Sequence, residues 1–475
     1  MPIQEKKTRP KVVSGQKPNV VFILVDNVGW GNFGVYGGTT PTPRIDTLAN
    51  DGIRFNNYNV EVQCTPTRSA IMTGRHPVRS GTTSIPLPGQ GESGMAPWEY
   101  TVAELLSDAG YATALYGKWH LGDTDGRLPN DQGFDEWWGI KNTWDEAAYT
   151  AYPLFKESGL PVPMIWAGKK GEPSKPVMPL DLNVRPIVDE QYIIPKTVQF
   201  IKENAAAKKP FFVYVGYSEM HPPILVNPKF AGKSTSRGGL FADLIAEMDY
   251  HVGQVMDAIK EAGVDDNTIF ILSSDNAGGG ALPQVGPGSN GPFRGDFMNT
   301  PFEGSHRVPA IIRWPGKIAA GVVTQEMLAA VDWLPTLAGI AGASNLVPSD
   351  RPIDGVDASA FMLGRSETTG RDSYMFFGTD GGLLSVKWKI YKIIFRYTEN
   401  TLRPAMEQPY VKPQWPMCYD LSSDPHEDSN LFCTDLSNSW LLGPPLRLLG
   451  EYEQSAKKYP NIQVGEDFKG YPKSK

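Results

Sequence analysis

Val20-Val21-Phe22-Ile23-Leu24-Val25 runs without a break into Asp26-Asn27. A short, wholly apolar run rich in β-branched side chains reads as a strand buried on both faces. Such strands belong to parallel sheets covered by helices. The pattern then repeats along the chain. Tyr111–Tyr116 leads into Lys118-Trp119-His120, Phe211–Tyr217 into Glu219-Met220-His221, and Thr268–Leu272 into Asp275-Asn276. In open α/β sheets ligands sit beyond the carboxyl ends of the strands. Strands that all deliver polar residues at the same end predict one composite site there.

Helical patterns lie between these runs. Thr42 as N-cap, Pro43 at the first position and Gly52 past the end predict a helix. Val102, Leu105, Leu106 and Ala109 form a stripe that stops at Gly110. Leu240, Leu244, Ile245, Met248, Val252, Val255, Met256 and Ile259 form a longer one, ending near Gly263. Val188–Asn204 reads as a helix interrupted by Pro195. The alternation predicts an α/β fold with a mostly parallel sheet flanked by helices. Residues 140–190 are rich in Pro, Trp and Gly and read as a long insertion beside the site. Its Trp144, Tyr149, Tyr152 and Trp166 could stack on a substrate ring or simply pack. From about residue 371 the pattern changes. Ser373–Phe377, Leu383–Phe395 and Met417–Leu421 read as strands of a smaller antiparallel subdomain. The expected organisation is a catalytic domain over 1–370, with 1–18 a disordered lead-in, and a C-terminal subdomain over 371–475.

At 475 residues and 40% hydrophobic, the chain can bury a sizeable core. Its 45 basic and 52 acidic residues give a net charge of −7, which excludes a generic nucleic-acid coating protein. Val20–Val25, the longest unbroken aliphatic or aromatic run, is far too short to span a bilayer, so no membrane partner is expected. No apolar leader follows Met1. The chain as written is expected in the cytoplasm, or in the periplasm or secreted if a leader was removed. The cysteines are Cys64, Cys418 and Cys433, an odd count that excludes a disulfide scaffold. Cys418 and Cys433 could pair, but a reducing compartment would leave both free.

The polar stations suggest chemistry. Pro66 suits the first turn of a helix, which puts Cys64 just before a helix N-terminus, where free N–H groups favour an anion. Taken alone, Cys64 reads more readily as a small buried residue packing the turn. Asp26, Asn27, Asp275 and Asn276 are oxygen donors that suit a hard cation, Ca²⁺ or Mg²⁺. Asp and Asn after a strand also simply begin turns. Few further carboxylates and no His cluster accompany them, which argues against a two-metal phosphatase centre. Of six histidines, His120 and His221 fall at strand ends, while His76, His251 and His426 read as structural.

Cys64-Thr65-Pro66-Thr67-Arg68 followed by Thr73-Gly74-Arg75 resembles the signature of the formylglycine-dependent (type I) sulfatases, arylsulfatase-like members of the alkaline phosphatase superfamily. The resemblance continues in order. It takes in Pro18-Asn19-Val20 to Gly29, Gly117-Lys118-Trp119-His120-Leu121-Gly122, His221-Pro222-Pro223 and Ser274-Asp275-Asn276. Glu303-Gly304, Arg307-Val308-Pro309, Trp314-Pro315-Gly316 and Tyr419-Asp420-Leu421 to Asn430-Leu431 follow. It spans roughly residues 18–431, and so many ordered motifs leave chance negligible.

The resemblance implies that a separate maturation enzyme oxidises Cys64 to formylglycine. A serine or thiol nucleophile would leave a sulfated enzyme that is hard to clear. A hydrated aldehyde can attack sulfur with one hydroxyl and expel sulfate through the other. The resemblance also implies Ca²⁺ held by Asp26, Asn27, Cys64, Asp275 and Asn276. Arg68 would hold the hydrate, Lys118 would bridge it and a sulfate oxygen, and His120 would take its proton. His221 would contact the sulfate or protonate the leaving oxygen.

Two positions depart from the pattern. Asn27 stands where the family commonly has a second Asp, which lowers the ligand charge. The lysine usual before Glu-Gly is missing from Phe293–Pro301. Arg294 could supply the charge and His306 a proton; otherwise His221 alone serves the leaving group, which favours phenols. The expected function is hydrolysis of an aryl or sugar sulfate to the alcohol or phenol and inorganic sulfate. Alternative readings are a phosphomonoester or phosphonate-ester hydrolase on the same fold and a non-catalytic anion- or sugar-binding protein. Substrate choice would lie in 140–190, in the loop near 283–300 and in the C-terminal subdomain. Nothing in the sequence sets an oligomeric state.

Overall fold

The computed structural model describes residues 17–87, 92–236, 238–279, 288–298, 301–399 and 408–472. Residues 1–16 of the expected lead-in, and 283–287 and 299–300 of the loop near 283–300, lie outside the described residues.

The main sheet is built from β1 (Asn19–Val25), β2 (Ile53–Asn59), β3 (Ala112–Lys118), β4 (Glu136–Ile140), β5 (Met164–Lys169), β6 (Lys175–Pro179), β7 (Phe211–Gly216), β8 (Thr268–Ser274), β9 (Arg307–Arg313), β10 (Val322–Thr324) and β11 (Leu328–Ala329). Their order is β10-β2-β9-β8-β1-β7-β3-β4-β5-β6, with β11 beside β2. β8, β1, β7, β3 and β4 are parallel neighbours. β9 runs antiparallel to β8 and β2, and β5 and β6 form an antiparallel edge. Leu272, Ile23, Val215 and Tyr116 lie in one row across the sheet. The four parallel strands therefore end almost level, and the residues after them face one edge.

Alternation along β1 splits the core into two layers. Val20, Phe22 and Leu24 face helices Cys64–Thr73, Val102–Asp108 and Trp333–Ile340. Val21, Ile23 and Val25 face helices Pro43–Asn50, Ile194–Ala206 and Gly239–Glu261. Each such side chain, fully buried, contributes about 1.5–3 kcal/mol. Thr101 and Glu104 close a reciprocal capping box at the start of Val102–Asp108, through bonds of 3.1 and 2.7 Å. Thr42 does occupy an N-cap position, but its hydroxyl donates to Asp46 Oδ1 instead of capping the helix backbone. Gly117 has φ +107°, and a Cβ there would stand 2.0 Å from the Gly216 carbonyl oxygen, so β3 and β7 need glycine at this crossing.

Three expected elements differ in detail. Residues 140–190 are not irregular throughout: they carry β5 and β6 and 3₁₀ turns at Trp144–Ala151 and Phe155–Ser158. Pro176 and Pro179 hid the edge strand, and only an edge tolerates them. Pro195 does not break a helix, because it falls in the first turn of Ile194–Ala206, after a π turn at Asp189–Ile193. Leu383–Phe395 divides into two strands that turn at Lys389, which takes φ +54° without glycine.

A second, antiparallel sheet follows: β12 (Ser373–Phe377), β13 (Leu383–Trp388), β14 (Tyr391–Ile394) and β15 (Met417–Asp420). It is joined to the first through a buried charge network. The Glu303 carboxylate accepts from Lys387 Nζ at 2.6 Å, Lys392 Nζ at 3.1 Å and Arg307 Nη1 at 3.2 Å. Burial opposes its charge, yet these three cations hold it far below the usual carboxylate range. Glu427 accepts from the Glu303 backbone N–H at 2.6 Å. Cys418 is buried and Cys433 exposed, and both are free.

Candidate active site

The edge at which β8, β1, β7 and β3 end gathers the polar stations. Asp26 and Asn27 follow β1, Asp275 and Asn276 follow β8, Lys118 closes β3, and His221 lies on the turn after β7. Asn27 and His120 take φ of +56° and +61°, left-handed turns that swing the chain off the strand ends. Cys64 is the first residue of its helix, one place further in than expected, with Gln63 as N-cap. Gly74, at φ +68°, ends that helix.

Arg68 is the hub. It is wholly buried, and its guanidinium bonds Asp275 Oδ2 through Nε (3.1 Å) and Nη2 (2.8 Å), Asp26 Oδ2 (3.1 Å) and the Lys118 carbonyl (2.9 Å). Lys118 Nζ adds a 2.8 Å bond to Asp26 Oδ2. Burial would raise the Asp26 carboxyl, but Lys118, His221 and Arg68 draw it down to about 2. For Asp275, burial and the Asp26 charge prevail over Arg68 and Lys118, and it rises to about 6.

The donor set suits a hard cation. Two carboxylates converge with two amides; Asn276 Oδ1 is a buried oxygen without a hydrogen-bond partner, while Asn27 Oδ1 accepts from Asn276 Nδ2. Cys64 Sγ, an Asp26 oxygen and a His221 ring nitrogen lie within 4.8 Å of one another. The Cys64 thiol sits 3.8 Å from Asp26 Oδ1, to which it donates. Burial and the Asp26 charge push it well above the ordinary thiol value, so it stays protonated and is a poor nucleophile as a thiol.

His120 is buried with both ring nitrogens unpartnered. Burial, together with Lys118, Arg68 and His221, keeps it well below the ordinary histidine value, hence neutral and able to accept a proton. His221 Nδ1 lies 2.8 Å from the Pro222 carbonyl, which can only accept, so Nδ1 carries the hydrogen and Nε2 is the accepting edge, beside Thr143 Oγ1. Its charged form is disfavoured by burial and Lys118 and favoured by Asp26 and Asp145.

Arg294 and His306 are not brought into this cluster. Arg294 stacks on Phe302 at 3.9 Å and donates to the Glu427 carbonyl. His306 packs 4.2 Å from Phe376, with Nδ1 on the Val60 carbonyl. Both lie in the seam between the sheets, Arg294 held by its cation–π contact and a carbonyl, His306 with Nδ1 on a carbonyl and its buried Nε2 without a hydrogen-bond partner. The Phe293–Pro301 stretch instead offers Met298, whose Sδ accepts from Gln63 Nε2 at 3.5 Å.

Sequence reasoning missed several groups around His221. Thr143 Oγ1 lies 3.1 Å and Asp145 Oδ2 3.7 Å from His221 Nε2. Arg185, wholly buried, bonds Ser218, Glu219 and the His221 carbonyl (2.7 Å) and holds the whole turn. Of the aromatic candidates, Trp144 is buried and Tyr152 is 67% exposed. Among the described residues no helix is long and apolar enough to cross a membrane.

A family model described as Sulfatase matches residues 18–343. An N-acetylgalactosamine-6-sulfatase of Canis lupus familiaris is 35% identical over 396 residues, covering 80% of this chain and 72% of its own. Arylsulfatase G of Rattus norvegicus is 32% identical over 449 residues, covering 87% and 82%. The crystal structure of the PsFucS1 sulfatase from Pseudoalteromonas sp. superposes with a TM-score of 0.87 at 30% identity, covering 94% of this chain and 92% of that one.

Proposed function

Since this chain belongs to the sulfatase family, a family of sulfuric ester hydrolases of alkaline-phosphatase-like fold, we propose that it hydrolyses the sulfate ester of a sugar at a formylglycine made from Cys64. One observation carries the reading. Cys64, buried, opens the helix that carries Arg68, and its thiol lies 3.8 Å from Asp26 Oδ1 among the polar residues that follow the parallel strands.

Asp26, Asn27, Asp275 and Asn276, with the converted side chain at 64, would hold a calcium ion, which supplies positive charge to the sulfate oxygens and the nucleophile. The hydrated aldehyde at 64 supplies an attacking hydroxyl and a second hydroxyl through which sulfate is released. The protein's own groups do the rest. Arg68 neutralises both carboxylates and, through the Lys118 carbonyl, fixes the end of β3. Lys118 offers its ammonium to the anionic ester, a preorganised charge in a water-poor site. His120, neutral and unpartnered, takes the proton from the residue-64 hydroxyl. His221 presents Nε2 to the leaving oxygen. The sugar is inferred from relatives such as the N-acetylgalactosamine-6-sulfatase, and a formylglycine-generating maturation enzyme is the implied partner.

The test pairs mass spectrometry with turnover. Protein made together with a formylglycine-generating enzyme is digested with trypsin, and the peptide Phe55–Arg68 is weighed. It is expected to carry the aldehyde. The same protein is expected to release sulfate from a hexosamine 6-sulfate and to favour 4-nitrophenyl sulfate over 4-nitrophenyl phosphate. Cys64→Ala is expected to abolish turnover. An active protein with plain cysteine at 64 refutes the formylglycine reading, and a preference for the aryl phosphate refutes sulfate as the substrate.

A further inference from the structure

We propose that Asn290, in the segment 288–298 between β8 and β9, is a positioning residue that sets the spacing of the two donor loops and, through it, the calcium affinity of the site. This rests on the reading of Asp26, Asn27, Asp275 and Asn276 given above.

Those four oxygen donors stand on two loops, one after β1 and one after β8, and the rigidity of such a frame is one of the things that tune calcium affinity. Close to the strand ends a single hydroxyl ties the loops together. Ser274 Oγ accepts from the Val28 backbone N–H at 3.0 Å and donates to the Asn276 carbonyl at 2.8 Å. Further out the tie is Asn290, which is buried. Its Oδ1 accepts from the Gly278 backbone N–H at 3.1 Å, and its Nδ2 donates to the Gly278 carbonyl at 3.1 Å. The carboxamide thus pairs with Gly278 as a neighbouring strand would, two residues beyond Asn276. The same Nδ2 is shared with the Gly295 carbonyl at 3.1 Å and Asp296 Oδ1 at 2.9 Å.

The β1 loop packs against the same amide. A Cβ on Gly29 would stand 2.2 Å from Asn290 Oδ1 and 2.5 Å from the Ser289 carbonyl oxygen, so a glycine two residues beyond Asn27 lets Asn290 in. The Gly31 backbone N–H donates to the Ser289 carbonyl at 2.8 Å, and the Ser289 N–H donates to Asn32 Oδ1 at 3.2 Å. Ser289-Asn290 therefore holds the β1 loop through its backbone and the β8 loop through the Asn290 side chain. Only a carboxamide can accept from the Gly278 N–H and donate to its carbonyl at once. Both of its polar atoms are spent on the protein, so Asn290 acts through the loops and is not itself a ligand. Partners of this kind are worth about 10–100-fold in metal affinity.

The experiment is isothermal titration calorimetry with CaCl₂ on the mature, chelator-stripped protein, with the calcium-free thermal midpoint read alongside. Wild type is compared with Asn290→Ala, with Asn32→Ala and with Ser289→Ala, whose lost hydroxyl accepts from Gly291 inside its own segment. Asn290→Ala is expected to raise Kd about 10–100-fold. Asn32→Ala, a milder cut on the β1 side, is expected to raise it severalfold and carries the test if Asn290→Ala does not fold. Ser289→Ala should keep the wild-type Kd. A calcium-free midpoint that falls while Kd stays at the wild-type value makes Asn290 a brace for folding and overturns the proposal alone. An equal rise in Kd for Ser289→Ala overturns it too, since the effect would not belong to the amide. A wild-type protein that takes up no calcium overturns the cation reading and the positioning with it.

Discussion

Glu303→Gln should loosen the seam between the two sheets while sparing the chemistry. Glu303 is fully buried, and its two oxygens accept from Lys387, Lys392 and Arg307. Glutamine keeps the shape but removes the charge and turns an amide N–H₂ toward buried cations. Removing one partner of a buried ion pair costs about 3–5 kcal/mol, because the remaining charges stay desolvated. Unfolding entropy of about 2.1 cal/mol/K per residue gives roughly 1 kcal/mol/K for a chain of this length. The thermal midpoint should therefore fall by about 3–5 °C. Differential scanning calorimetry at pH 7.5 reads this directly, and kcat/KM at 20 °C should stay near wild type, because none of the four residues bonds the Arg68 cluster. A midpoint within about 1 °C of wild type would show that water or Glu427 compensates the cations, and the network argument would fall. Lost activity at an unchanged midpoint would place Glu303 in the site and not in the seam.

Other perturbations have equally definite outcomes. Chelation should lower the thermal midpoint and calcium restore it, by about 2.7 kcal/mol at a hundredfold excess over Kd; Asp275→Asn should abolish the response, and a midpoint indifferent to calcium would remove the cation from the site. Gly117→Ala should cost roughly 3 kcal/mol or more, because its Cβ would strike the Gly216 carbonyl and its φ is left-handed; a soluble variant of unchanged urea midpoint would contradict the β3–β7 geometry. Glu104 is raised from 4.5 to about 7, chiefly by burial. A carboxyl whose folded pKa exceeds its unfolded value costs stability as pH rises through that window. Glu104→Gln keeps the acceptor for the Thr101 N–H, so it should stabilise by roughly 1–3 kcal/mol at pH 8 and by almost nothing at pH 4; equal effects at both would exclude the titration.

What could be read in advance was whatever one short segment states by itself. Val20–Val25 and its three counterparts announce buried parallel strands through composition alone, and the acids, amides, lysine and histidine after them lie where strand ends must converge. Cys64 and Arg68 were legible only because Cys64-Thr65-Pro66-Thr67-Arg68 resembles the sulfatase signature; alone, Cys64 reads as a buried packing residue. Contacts that depend on distant partners were not. Thr143 and Asp145 lie in a stretch without periodicity, and only the fold brings them to His221. Lys387 meets Glu303 across 84 residues of sequence, and neither position carries a mark of it. Arg294 and His306 were chosen for their chemistry and their neighbourhood in the chain, but burial against Phe302 and Phe376 satisfies them elsewhere.

The strand order also has a consequence in time. β1 comes first in the order of strands, yet its neighbours in the sheet are β7 and β8, which follow it by nearly two hundred residues or more. Until they leave the ribosome, Asp26 has no Asp275 beside it, Arg68 lacks most of its partners, and the helix that begins at Cys64 lies over an unfinished sheet. Roughly 200 residues at about 5–20 residues per second amount to about 10–40 s. Once β8 docks, Cys64 is 2% exposed and beyond the reach of another enzyme's active site. If Cys64 is converted as proposed, the conversion would be a race against the fold, with its length set by the topology of the sheet.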